Sequence, residues 1–95
     1  MAQAQAGVGI MIERPTEQRL ETLKVSSWPI WTKEPSIFPW QYDEREMCYL
    51  LEGSATVKTA GGTVSIRAGD LVTFPQGLSC TWHVHHAIRK HYYFG

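Results

Sequence analysis

Two stretches decide how this chain folds: Trp40–Gly53, reading WQYDEREMCYLLEG, and Gly69–Val84, reading GDLVTFPQGLSCTWHV. Side chains two apart on a strand point to one face. Trp40 and Tyr42 therefore share a face, as do Glu46, Cys48 and Leu50 on the next strand, and Cys80, Trp82 and Val84 on a third. Met47–Leu51 is apolar at every position, the mark of a strand covered on both sides. Gly53, Gly69 and Gly77 stand where the backbone must turn sharply, which favours positive φ.

Working outward, the same short rhythm of strand and turn continues. Ala55 and Val57 alternate with Thr56 and Lys58, and Val64 and Ile66 with Ser65 and Arg67. Gly61-Gly62 between these runs is a hairpin signal. Leu71–Phe74 is a brief strand stopped at Pro75, and two last strands are expected at 79–85 and 88–94. Toward the N-terminus, Trp28–Trp31 and Ile37–Trp40 combine aromatics with prolines and suit edge strands. One helix is expected, over 17–23: Thr16 caps it, Glu17 complements its dipole, and Leu20 and Leu23 share a face. The whole predicts an all-β barrel with a short N-terminal helix. Residues 1–11 are read as a flexible segment and residues 12–95 as one domain.

Bulk properties narrow the function. The 95 residues are 43% hydrophobic and 19% charged, enough for one modest core. Nine basic residues balance nine acidic ones, so no positive field draws in nucleic acid. Arg89-Lys90-His91 is read as a solvated strand edge rather than a phosphate-binding patch. No apolar run approaches the length of a membrane span, and Met1–Gly9 lacks the basic start of a secretory signal. Two cysteines, Cys48 and Cys80, are too few for a disulfide framework and suit buried thiols in a reducing, cytoplasmic setting. A plastid or other organelle is the alternative if a transit peptide belongs to a precursor.

The two opening stretches resemble the paired motifs of cupins, small jelly-roll β-barrels that usually hold a metal inside. Glu46 and Gly53 stand at the separation of the first motif's glutamate and glycine, with Trp40 and Tyr42 where its two histidines fall. Gly69, Pro75 and Gly77 match the second motif, with Cys80 replacing its histidine and Val84 its asparagine. Cys48–Gly53, Gly69–Pro75 and Arg89–Tyr92 are similar to single-domain cupins grouped with the ureidoglycine aminohydrolase cupin domain. The resemblance implies a jelly roll, an interior pocket, dimers formed through the sheets and, in that enzyme, metal-dependent release of ammonia.

The residues themselves give the site. Glu46, facing an aromatic interior, is the candidate general acid or base. A carboxylate there needs a hydrogen bond from Tyr42, a basic side chain, a metal or a proton. Trp40, Tyr42, Cys80 and Trp82 are the candidate ligand-binding residues, with the two indoles suited to stack on a flat molecule. Trp28 and Trp31 are read as core or interface packing. Glu46, Cys80 and Tyr42 form the alternative metal-holding set, for Mn, Fe, Ni or Zn, though thiol, phenol and carboxylate match those ions poorly. His83 and His85 alternate away from Cys80, and His85-His86 reads as an exposed turn. The expectation is a small-molecule pocket in a homodimer covering Met47, Tyr49 and Leu51, with no nucleic-acid or membrane partner. The alternatives are a non-catalytic interaction module and a metal-dependent aminohydrolase.

Overall fold

Two long strands organise the chain: β5 (Glu46–Thr59) and β8 (Ser79–Phe94). The computed structural model describes the backbone of residues 3–5 and all of residues 9–95. Around the long pair lie β1 (Gln3–Gln5), β2 (Met11–Glu13), β3 (Ile30–Lys33), β4 (Ser36–Gln41), β6 (Gly62–Arg67) and β7 (Leu71–Phe74). Every pairing is antiparallel. The first half of β5 pairs with β7 and with the end of β8, and its second half pairs with β6 and the start of β8. β8 in turn carries β4 along its first half and β3 along its second. Both long strands thus belong to two facing layers at once, the jelly-roll arrangement the resemblance implies.

The bend that allows this lies where β5 and β8 slip register, between Leu50 and Ala55. Gly53 sits at that slip with φ +94, and a Cβ there would collide with the Ala87 carbonyl. Only glycine permits both the dihedral and the approach. The turn after β6 locks onto the same place: Ala68 N donates to Gly53 O, and Gly69 N to Leu50 O. Asp70 is buried there, accepting from Arg14 Nη1 at 3.0 Å and from Arg67 N at 2.9 Å.

β8 is one strand rather than the two expected. The register shifts fall on both strands, between Leu50 and Ala55 on β5 and between Lys90 and Val84 on β8, and the chain from Ser79 to Phe94 remains one strand through them. His85 and His86 accordingly lie within β8 and not in a turn, exposed and hydrogen-bonded to Thr56 and Ser54. Gly61-Gly62 does mark a hairpin, Thr59 pairing with Gly62.

Between the layers lies the main core, which includes Leu50, Val57, Ile66, Phe74, Trp82 and Val84, all at 2% exposure or less. Each such side chain contributes about 1.5–3 kcal/mol by leaving water. A second, smaller core lies on the outside of the first layer. Helix α1 (Glu17–Leu23) is capped as predicted, Thr16 Oγ1 accepting from Arg19 N at 3.1 Å. With the short turn Val25–Ser27 it brings Leu20, Leu23, Val25 and Trp28 onto Met47, Tyr49 and Leu71. Met47 is therefore covered by its own chain, which corrects the expectation that it forms a subunit interface. Of the segment 1–11 read as flexible, residues 1, 2 and 6–8 lie outside those described, and the backbone of Gln3–Gln5 pairs with β2. Of the rest, Ile10 is fully buried and Met11 opens β2, which pairs with β7.

Candidate functional site

The barrel interior is not filled to its end. Between β3, β4, β5 and β8 it leaves a cavity of about 220 Å³. Trp31 from β3, Phe38 and Trp40 from β4, and Trp82, Tyr92 and Phe94 from β8 form its walls, with Tyr42 from the loop after β4. Trp40 and Phe94 are 45% and 42% exposed and stand at the mouth. Strand alternation delivers the inner members: Cys80, Trp82, Val84, Ile88 and Lys90 all turn inward from β8.

The rings hold one another in place. Phe38 stacks on Trp82 with centroids 6.2 Å apart, and Trp31 meets both edge-on at 6.3 Å. Tyr42 stacks on Phe74 at 4.7 Å, and its hydroxyl accepts a hydrogen bond from Trp82 Nε1 at 3.2 Å. Such contacts each contribute about 0.5–1.5 kcal/mol beyond burial and fix the walls as a rigid frame.

At the floor lies an ion pair. Lys90 Nζ donates to Glu46 Oε2 at 2.9 Å, and both side chains are all but removed from solvent. The ammonium also lies 4.8 Å from the ring centres of Trp31 and Trp82, held between two indole faces. Burial alone pulls the ammonium down. The Cys48 sulfur and Glu46 carboxylate beside it outweigh burial and hold Lys90 above the ordinary lysine value. Burial, followed by the Glu46 charge, pushes the Tyr42 phenol far above its usual range. Burial also pushes the Cys48 thiol up to about 12 and raises that of Cys80. Both cysteines are buried and free.

Of the residues singled out in the sequence, Trp40, Tyr42, Glu46 and Trp82 converge on this cavity. Cys80 pairs across the strands with Trp40 and is buried in the main core, outside the cavity lining. Lys90 was misread: it is not on a solvated edge but 5% exposed at the centre of the site. Its neighbour Arg89 does face solvent, and so obscured it. The alternation from Trp82 through Val84, Ile88 and Lys90 is the signal that identifies it. Trp31 packs against the main core and also lines the cavity, whereas Trp28 packs in the outer core and stacks on Tyr93 at 5.5 Å.

A jelly roll of this size with a side-chain-lined cavity between its layers defines a cupin. Residues 20–92 match the family model of the EutQ-like cupin domain, and the chain belongs to that family. It is similar to a DUF861 family protein from Thermotoga maritima, with 50% identity over 90% of this chain and 99% of that one, at a TM-score of 0.89. It also shares its fold with a putative ethanolamine utilization protein Q from Salmonella typhimurium. That likeness has 24% identity over 90% of this chain and 68% of the other, at a TM-score of 0.64. A predicted oxalate decarboxylase from Thermotoga maritima has the same fold at 17% identity and a TM-score of 0.55, over 98% of this chain and 89% of that one. No curated protein matches the chain. The finer likeness to ureidoglycine aminohydrolase is not what these matches show.

The divalent cation associated with cupins does not suit this donor set. The ammonium of Lys90 already occupies Glu46 and would repel a cation beside it. The Tyr42 phenol is held protonated, and Cys80 does not line the cavity. Among the described residues, no three His, Cys, Asp or Glu side chains gather as a metal-holding group. Nor, among the same residues, is any helix long and apolar enough to cross a membrane.

Proposed function

We propose that this chain is a small-molecule-binding cupin whose ligand enters the aromatic cavity and meets the Glu46–Lys90 pair. The observation that carries this reading is the convergence of Trp31, Phe38, Trp82 and Tyr92 around one buried ion pair. Apolar walls with a few polar groups at one point are the usual anatomy of a ligand site. The volume of about 220 Å³ falls below the range of about 300–1,000 Å³ for drug-sized ligands and suits a single-ring compound. If a reaction occurs there, Glu46 is the base and Lys90 the acid beside it. The metal-dependent ammonia release implied by the aminohydrolase likeness finds no support in the donor set.

The test is a ¹H–¹⁵N NMR titration with indole and phenol as single-ring probes. The Nε1–H signals of Trp31, Trp40 and Trp82 are expected to shift together. Shifts scattered over the outer strands, with these three unmoved, would refute the reading.

A second reading, self-association, is favoured by exposed apolar side chains outside the cavity: Ile37 at 66%, Tyr93 at 50% and Ile30 at 41%. Sedimentation of the protein and of Ile37→Asp tests it, a monomer in both cases counting against a homodimer. The two free thiols support a reducing compartment such as the cytoplasm.

A further inference from the structure

The floor of the cavity has unspent hydrogen-bonding capacity of a particular kind. The Glu46 side chain is 5% exposed and lines the cavity. Its Oε2 accepts from Lys90, while Oε1 has no hydrogen-bond partner among the described residues. No fully buried side-chain oxygen or nitrogen of those residues lacks a partner, so Oε1 must be reached from the cavity. Beside it are donors. The Lys90 ammonium has three protons, of which Glu46 engages one. The Tyr42 hydroxyl accepts from Trp82, and among the described residues its own proton has no acceptor.

The floor therefore offers one open acceptor flanked by donors, and its charges cancel. A ligand carboxylate would set a second negative charge beside Glu46, and a ligand ammonium a second positive charge beside Lys90. Neither has a counter-charge left in the apolar walls, where an unpaired charge is costly. We infer that the cavity selects a neutral, planar compound with a donor next to an acceptor, as on the edge of a carboxamide or lactam. Its N–H donates to Glu46 Oε1, its carbonyl accepts from Lys90 or Tyr42, and its ring lies among Trp31, Phe38 and Trp82.

This inference rests on the ligand-binding reading above, and three probes of one shape separate the two. Benzamide, benzoate and benzylamine are titrated by calorimetry at about pH 8, where they are neutral, anionic and cationic. Benzamide is expected to bind at least about tenfold more tightly than either charged probe. Glu46→Gln leaves Lys90 without its counter-charge and should move the preference to benzoate. A charged probe that matches or exceeds benzamide on the unaltered protein overturns the inference and leaves the cavity reading intact. Failure of all three to bind at millimolar concentration overturns both. If a variant does not fold, the comparison on the unaltered protein decides alone.

Discussion

Replacing Lys90 with Met removes the cation that makes a buried carboxylate tolerable. The two side chains are 6% and 5% exposed, so water does not compensate the loss. Breaking a buried pair by deleting one partner costs about 3–5 kcal/mol. Glu46 has one escape, which is to take up a proton. For a glutamate of ordinary acidity that costs about 1.36 kcal/mol per pH unit, or about 3.7 kcal/mol at pH 7. Proton uptake thus caps the charge penalty near 4 kcal/mol. The lost contacts with Trp31 and Trp82 add about 1 kcal/mol, against which Met offers apolar packing. The net expectation for Lys90→Met is a loss of about 3–4 kcal/mol at pH 7, read from urea unfolding followed by tryptophan fluorescence. The sign of its pH dependence follows from the escape route. The folded variant binds a proton that the unfolded chain does not, so stability rises as pH falls, by up to about 1.4 kcal/mol per unit. Glu46→Leu combined with Lys90→Met should recover most of the loss, because an apolar pair needs no compensation. A loss below about 1 kcal/mol, with no slope between pH 8 and 5, would refute the reasoning.

Gly53→Ala forces a left-handed backbone and drives a methyl group into the Ala87 carbonyl. It is expected to cost more than about 3 kcal/mol or to abolish soluble expression, whereas Gly62→Ala, whose Cβ meets nothing, should be milder in the same denaturation assay. The Cys48 thiol, lifted from 9.0 to about 12, loses its proton more readily once unfolded. Stability should therefore fall above about pH 9 by about 1.4 kcal/mol per unit on its account, and Cys48→Ala should flatten that slope in alkaline unfolding. Raised Lys90 and Tyr42 act with the same sign, so part of the decline persists in that variant. For the same reason Cys48 in the folded protein should resist iodoacetamide at about pH 8, and mass-spectrometric labelling without denaturant would contradict this.

Much of this architecture is legible in residue order. The alternation in Ala55–Val57 and Val64–Ile66, the hairpin glycines and the Thr16 cap are local signals, and the folded chain honours each. The inward rows through Tyr42, Glu46 and Trp82 follow from a period of two and the closure of a barrel. What escapes a linear reading depends on the long pairing of β5 with β8. In place of the expected break near His86, β8 shifts register against β5 around Gly53, a segment thirty-odd positions away in the chain and invisible locally. Lys90 was hidden by its charged neighbours, since a basic triplet resembles a wet edge until the opposing Glu46 is known to face it. The outer side of Met47 was expected to await a second subunit, but α1 folds back over it. Nothing within residues 46–51 encodes that cover.

Glu46 and Lys90 are carried by the two strands that stitch both layers together. Parting them means parting the entire barrel, so the floor cannot loosen by local fraying as a loop-borne site would. Amide protons beside the pair should exchange with deuterium no faster than the whole molecule unfolds. The half-exposed indole of Trp40 and ring of Phe94 stand at the cavity's mouth, so the binding role proposed above has its approach through these two side chains and not through the backbone.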